Sequence, residues 1–330
     1  MTALATRFHV GAGTQVGPVT VFPVWSQDRS DQQYITSAPK GLEIEELKNA
    51  EVSSLQVTNG SKETILIPEG TIVYGGLQTR VMTRDVLLPA GVQDVLDVRC
   101  VEQGRWGSKV PTSFAGRAPL PVLGALRGLR LKSRNEFMHN YFMTGETIAD
   151  QHDVWQRVKR FEKTYGTRSS SSLESILNMK TVDRIISHDM ETNRFNDENA
   201  RVTEEIKFEL KKMAESPLPG QNGVIVGLSG HPVLFEVFSN EGAFREQLGS
   251  ILDAVALDAP HANGEPTPSR RAIRFAECIM DQALVQSDFS ESVLSGSSEL
   301  LNTRSLIGNT SEAILHTLVV NARHELVLAS

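Results

Sequence analysis

Cysteine is scarce in this 330-residue chain: Cys100 and Cys278 are its only two, far apart and outside any CxxC pair. Neither a disulfide framework nor a thiolate zinc site is supported by that spacing. Long apolar runs are missing as well, and nothing approaches the ~20 residues a membrane helix needs. The opening MTALATRFHVGAGTQVG has no basic start, apolar stretch or small-residue cleavage site, so no secretory leader is expected there. These absences point to a reducing, cytoplasmic setting with no membrane partner. Excess positive charge is lacking too. A net charge of −7 argues against a general phosphate-backbone binder, which makes nucleic acid an unlikely partner.

What is present is a globular composition, 40% hydrophobic and 22% charged, enough for one large domain or two modest ones. The first hundred residues read as β-structure. Val19 to Trp25 follows Gly17-Pro18, and Val52 to Thr58 ends in Asn59-Gly60, a dipeptide that suits a type I′ hairpin into Thr64 to Ile67. Thr71 to Tyr74 and Val95 to Val101 supply further strands around a Pro89-Ala90-Gly91 loop. From Trp106 to Asn140, prolines 111, 119 and 121 and several glycines predict irregular chain. Arg105, Arg117, Arg127, Arg130, Lys132 and Arg134 make this the most basic part of an acidic protein, and a solvated loop is the favoured reading.

Apolar stripes then predict helices: Val154, Trp155, Val158 and Phe161 within about 148–165, Leu173 to Ile186, and Val202, Ile206, Leu210 and Met213. The last two are expected to form an antiparallel hairpin. Gly223 to Leu228 and Val233 to Phe238 read as strands around a tight turn at Ser229-Gly230-His231-Pro232. Helices are expected at Phe244 to Val255 and at Arg270 to Val285, then strands at Ile314 to Val320 and His324 to Leu328. The fold class is therefore α+β, an antiparallel-rich β core with an inserted helical hairpin. One composite domain over 1–330 is expected, with the β-rich core at 1–145 and 217–330 and the insertion at about 146–216.

One polar motif concentrates chemistry. Its pieces are Tyr74-Gly75-Gly76-Leu77-Gln78-Thr79-Arg80 and Cys100-Val101-Glu102-Gln103-Gly104-Arg105-Trp106. Two glycines let another backbone or a ligand approach. Arg80 and Arg105 can grip a phosphate or carboxylate, Gln78 adds an amide contact, and Trp106 can stack on a ring. Glu102 can act as acid or base, or bind a ribose hydroxyl. Equally, Glu102 can pair with an arginine, Cys100 can be a small core residue and Trp106 can plug a sheet edge. Cys100 as a nucleophile needs a base that is not near it in sequence. His188 and Glu191 at i, i+3 offer two metal ligands with no matching pair, so no metal site is assigned. His231 reads as a turn residue, and His316 and His324 as structural.

The motif pieces resemble one family. Gly13-Thr14-Gln15-Val16-Gly17-Pro18 through Trp25, Glu69-Gly70, Gly75-Gly76, Gln78-Thr79-Arg80, Cys100-Val101-Glu102 with Gly104-Arg105-Trp106, and Gln151 with Trp155 are similar to the bacterial domain named for its association with ADP-ribosylglycohydrolases and rhodanese-type phosphatases. Thr79 stands where the family has Asn. The resemblance implies a link to ADP-ribose or phosphate metabolism, by association. It leads to an expected pocket for a nucleotide-like anion, NAD- or ADP-ribose-derived. Gln78, Arg80, Arg105 and Trp106 would bind it, and Glu102 would be the acid or base if turnover occurs. No cofactor is specified. The alternative is a non-catalytic interaction module, with a structural motif and a homo-oligomer surface on the helical hairpin. An RNA binder using the basic stretch is a third reading.

Overall fold

The computed structural model describes residues 2–3, 7–27, 30–102, 107, 110–129, 151–165, 190–287, 290–309 and 313–328. Two antiparallel sheets dominate it. The larger draws strands from both halves of the sequence. From the N-terminal part come β1 (Thr2–Ala3), β2 (Phe8–Val10), β3 (Thr14–Val16) and β4 (Val19–Ser26). From the C-terminal part come β13 (Gly223–Leu228), β14 (His231–Phe238), β15 (Ala283–Ser287), β16 (Ser290–Ser297), β17 (Leu301–Ile307) and β18 (Ile314–Asn321). The order is β1-β15-β16-β17-β18-β14-β13-β4-β2, with β3 also paired to β4.

Period-2 alternation sorts this sheet's side chains onto two buried faces. Val21, Val224, Val226, Leu234, Leu318 and Val320 join one core, while Phe22, Val24, Ile225, Phe235 and Val319 join another. Both faces being covered explains why β13 is buried at every position. Helix α5 (Ser269–Met280) covers the second face through Ala272, Phe275, Ala276 and Ile279. The first face meets α1 (Leu120–Leu126), α2 (Gln151–Tyr165), α3 (Met190–Glu215) and α4 (Glu241–Ala256). In α2 the apolar stripe Val154, Val158, Phe161 and Tyr165 is buried at helical spacing. Asn240 caps α4, its Oδ1 accepting the N–H groups of Gly242 and Ala243.

The smaller sheet runs β12 (Val110–Arg117), β8 (Thr71–Gly76), β9 (Arg80–Met82), β11 (Gln93–Cys100), β6 (Ser54–Asn59), β5 (Leu42–Glu45). Its edges approach each other, since Thr112 Oγ1 donates to the Ile44 carbonyl at 2.8 Å. Leu55, Val57, Val73, Met82, Leu96 and Val98 fill a third core there. The antiparallel pair β7 (Ile65–Ile67) and β10 (Val86–Leu88) adds Ile65, Ile67, Val86 and Leu88 to it.

The α+β class follows the sequence reading, as do the positions of β4, β6, β7, β8, β11, β13, β14 and β18; β16 and β17 were not expected, and four local expectations are corrected. Asn59-Gly60 does not join β6 to β7, because β6 pairs with β5 and β11, and β7 with β10. Asn59 is instead fully buried, its amide donating to the carbonyls of Glu63, Leu88 and Pro89. The stretch after Trp106 contains β12 and α1. Pro111 is tolerated because β12 ends the strand order and Pro121 because the first helical turn needs no N–H. Val285 lies in β15 rather than a helix, paired with Ser295 of β16. His324 to Leu328 is no strand: α6 (Glu325–Leu328) forms there, and His324 Nδ1 accepts the Leu326 N–H at 3.2 Å. Ser229 (φ +49) and Gly230 (φ +76) form the tight β13–β14 turn that the sequence predicted. The first helix of the expected hairpin, Leu173 to Ile186, lies outside the described residues.

Candidate functional site

Strand β8 ends on Gly75 and Gly76, with φ +98° and +63°. These conformations favour glycine, and the neighbours leave no room for a side chain. A Cβ on Gly75 would lie 2.3 Å from the Pro111 carbonyl oxygen, and one on Gly76 would lie 2.8 Å from Glu46 Oε1. The glycines thus admit the β12 backbone and a carboxylate. That carboxylate caps the turn, Glu46 Oε1 accepting the Leu77 N–H at 2.7 Å.

The β9–β11 register sets Arg80 opposite Cys100 and brings the two motif segments together. Just beyond it, the Val101 N–H donates to the Thr79 carbonyl at 3.0 Å. Glu102 Oε2 accepts both the N–H and the hydroxyl of Thr79, each at 2.9 Å. Arg80 is fully buried. Its Nε donates to the Val52 carbonyl at 2.9 Å, Nη1 donates to the Gln78 carbonyl at 2.8 Å, and Nη2 lies 3.6 Å from Glu46 Oε2. The fork is therefore directed inward. Cys100 is buried, and its thiol donates to the Glu102 carbonyl at 3.1 Å. Burial pushes the thiol pKa up, which keeps it protonated.

Gln151, at the start of α2, grips the outer side of the same strand. Its Nε2 donates to the Cys100 carbonyl at 2.7 Å and its Oε1 accepts the Cys100 N–H at 2.8 Å. The amide substitutes for a neighbouring strand where β6 has already ended, its last partner being Asp97.

Arg105 and Trp106 lie outside the described residues; Glu102 and Gly107, on either side of them in sequence, both meet this turn. Glu102 holds Thr79, and the Gly107 N–H donates to the Leu77 carbonyl at 3.5 Å. Gln78 lies between these anchors, 6% exposed, its Nε2 facing the Glu102 carbonyl at 3.5 Å and its Oε1 accepting nothing. Glu46 was not singled out from sequence, because an acid next to a short strand carries no pattern of its own.

A second polar cluster fills the seam between the sheets. Arg127 is fully buried and forms a two-pronged pair with Glu69, Nε to Oε1 at 2.8 Å and Nη2 to Oε2 at 2.9 Å. Arg304 approaches Glu69 Oε1 at 3.2 Å. His316 lies between two carboxylates, Nδ1 at 2.7 Å from Asp85 Oδ2 and Nε2 at 3.0 Å from Glu236 Oε1. Arg117 donates to the same Glu236 oxygen at 2.8 Å. Burial works against the imidazolium, yet the facing carboxylates raise its pKa to about 9. Asp85 and Glu236 are correspondingly held below the usual carboxylate range, despite burial, by His316 and Arg117.

Arg117 and Arg127 correct the solvated-loop expectation, and they are unavailable to an RNA backbone. His316 and His324 are structural, as read; His324 Nε2 meets the Leu228 carbonyl at 3.1 Å. His188 and the Glu191 side chain lie outside the described residues. Among the described residues, no group of three or more His, Cys, Asp or Glu side chains could hold a metal ion, and no helix is long and apolar enough to cross a membrane.

Comparison with known families matches residues 7–323 to one described as ARG and Rhodanese-Phosphatase-superfamily-associated Protein domain. No curated protein and no solved structure matches the chain.

Proposed function

The chain belongs to the ARG and Rhodanese-Phosphatase-superfamily-associated Protein domain family, and from that premise we propose that it binds a nucleotide-like anion, NAD- or ADP-ribose-derived, at the β8–β9 turn. The observation that carries this reading is that Glu102 and Gly107, which bracket Arg105 and Trp106 in sequence, meet Thr79 and Leu77 of one turn, beside the buried Gln78. Arg105 supplies the charge for phosphate and Trp106 a stacking face. Arg80, whose guanidinium is bound to main-chain carbonyls, shapes the turn from behind. Glu102 is the acid or base if the ligand is turned over, which requires it to release Thr79.

Thermal unfolding against NAD, ADP-ribose, ADP, AMP and inorganic phosphate tests the proposal, with Arg105→Ala as control. A ligand at about 100 times its dissociation constant stabilises by about 2.7 kcal/mol. A rise with one nucleotide class, lost in the folded variant, supports the site; no shift with any compound rejects it.

A second reading has its own support. Glu102 and Arg80 are both committed to main-chain and Thr79 contacts, as a purely structural motif requires. The protein is then an interaction module using α3, where Phe208 is 60% exposed beneath the Lys212 ammonium. Sedimentation of the wild type and Phe208→Ser distinguishes the two: concentration-dependent self-association abolished by the substitution favours the module.

A further inference from the structure

Asp258 lies between the end of α4 and the short 3-10 turn Ala259–His261, and it is fully buried. Its side chain makes no bond to that turn, although an aspartate in this position commonly caps one. Oδ2 instead accepts the Leu120 N–H at 3.0 Å, from 138 residues away in sequence, and the buried Oδ1 accepts nothing. Leu120 opens α1, where Pro119 provides no side-chain cap. Asp258 therefore seats the wholly buried α1 on the end of α4. Among the described residues its carboxyl has that one hydrogen bond and no ion pair.

A carboxylate so placed lacks the facing cation and the several donors that make a buried charge tolerable. Its surroundings do not supply them. From Leu120 to Leu126, α1 has no ionisable side chain. On α2, Arg160 favours the charged form from a distance, without pairing. On the adjoining turn, His261 is neutral at neutral pH, because burial and Arg160 push its pKa down to about 4. Tyr165 of α2, which donates to the Leu257 carbonyl at 2.7 Å, is held protonated by burial, and Glu204 of α3 acts on it in the same direction. Burial accordingly outweighs the Leu120 N–H and Arg160 and raises the Asp258 carboxyl to about 8. We propose that Asp258 is a proton-held latch, its neutral carboxyl keeping the N-terminus of α1 seated on α4 and loss of the proton to solvent freeing that end. Once ionised, the group needs water, and water reaches it when α1 parts from α4. The opening is hinged, since Arg127 at the other end of α1 remains bound to Glu69.

The sign follows from the raised carboxyl: the seated state binds the proton more tightly than the open one, so seating is strongest in acid and weakens as pH rises to about 8. Hydrogen–deuterium exchange of the α1 amides, corrected for the intrinsic rate at each pH, tests this on the wild type and Asp258→Asn. Between pH 5 and 7, below the range in which His316 loses its proton, wild-type protection is expected to fall about tenfold per pH unit. Asp258→Asn is expected to be level over the same interval. A level wild-type profile overturns the latch, and so does an equal slope in the two proteins. Should the asparagine variant fail to fold, infrared spectra of the wild type with 13C-labelled aspartate decide the matter alone. A protonated-carboxyl band that vanishes as pH rises through about 8 supports the latch, and no such band at pH 6 overturns it.

Discussion

The seam between the sheets and the turn at the end of β8 are both buried and both polar, but they close their accounts differently. At the seam each named charge faces an opposite one: Arg127 and Arg304 on Glu69, Arg117 and His316 on Glu236, His316 on Asp85. At the turn, Thr79 and Glu102 satisfy each other and Glu46 faces Arg80 at 3.6 Å, while the Gln78 Oε1 accepts nothing. Burial of charge alone therefore does not mark a functional site. An arginine at zero exposure can be a joint between sheets, whereas an unspectacular glutamine with an orphan oxygen is the better candidate for meeting a ligand.

Substitutions can break this contrast. The largest effect is expected for Arg127→Met, which removes the two-pronged partner of the buried Glu69 carboxylate and leaves Arg304 to face it; denaturant unfolding should show a loss of about 3 kcal/mol. A loss under about 1 kcal/mol would mean the seam is not the joint described here.

The His316 prediction follows from the sign of its shift. Its folded pKa of about 9 exceeds the ordinary 6.5, so its contribution is complete below pH 6.5 and disappears as pH rises through 9. That contribution amounts to about 3 kcal/mol. Stability measured from pH 6 to 10 should fall more in the wild type than in His316→Gln, where the Asp258 slope below about pH 8 remains. Parallel curves would show that the imidazole is neutral.

At the turn the effects should be smaller. Glu102→Ala leaves the Thr79 N–H and hydroxyl without their acceptor and should lower stability by about 1–3 kcal/mol. Gln78→Leu, by contrast, removes an unsatisfied oxygen. It should cost nothing or raise stability by up to about 1 kcal/mol, while reducing any ligand-induced rise in melting temperature. A destabilised, ligand-responsive Gln78→Leu variant would place Gln78 with the structural residues and erase the comparison.

Legibility from sequence divides along similar lines. The strands rich in β-branched residues, such as Val19 to Trp25 and Gly223 to Leu228, were visible because their neighbours on both faces are apolar and the local pattern reports that directly. So was the stripe of α2. The two motif pieces were visible as polar segments but not as neighbours, since the register that sets Arg80 opposite Cys100 is a pairing between strands that no local pattern reports. Strand pairing was less visible. Asn59-Gly60 carries a hairpin signal, yet the Asn59 amide is drawn to carbonyls at Leu88 and Pro89, about 30 residues away, and no local rule contains that competitor.

By itself the chain determined its α+β class, its principal strand and helix positions, and the concentration of polar residues around Gln78 and Glu102, because periodicity, turn chemistry and residue type act over a few positions. Only the tertiary structure decided which charges are spoken for. The same guanidinium is a solvated loop residue or a buried strut according to whether a carboxylate arrives from a distant strand, and the arrival of Glu236 at Arg117, from 119 residues away, is fixed by sheet pairing rather than by anything adjacent to either residue.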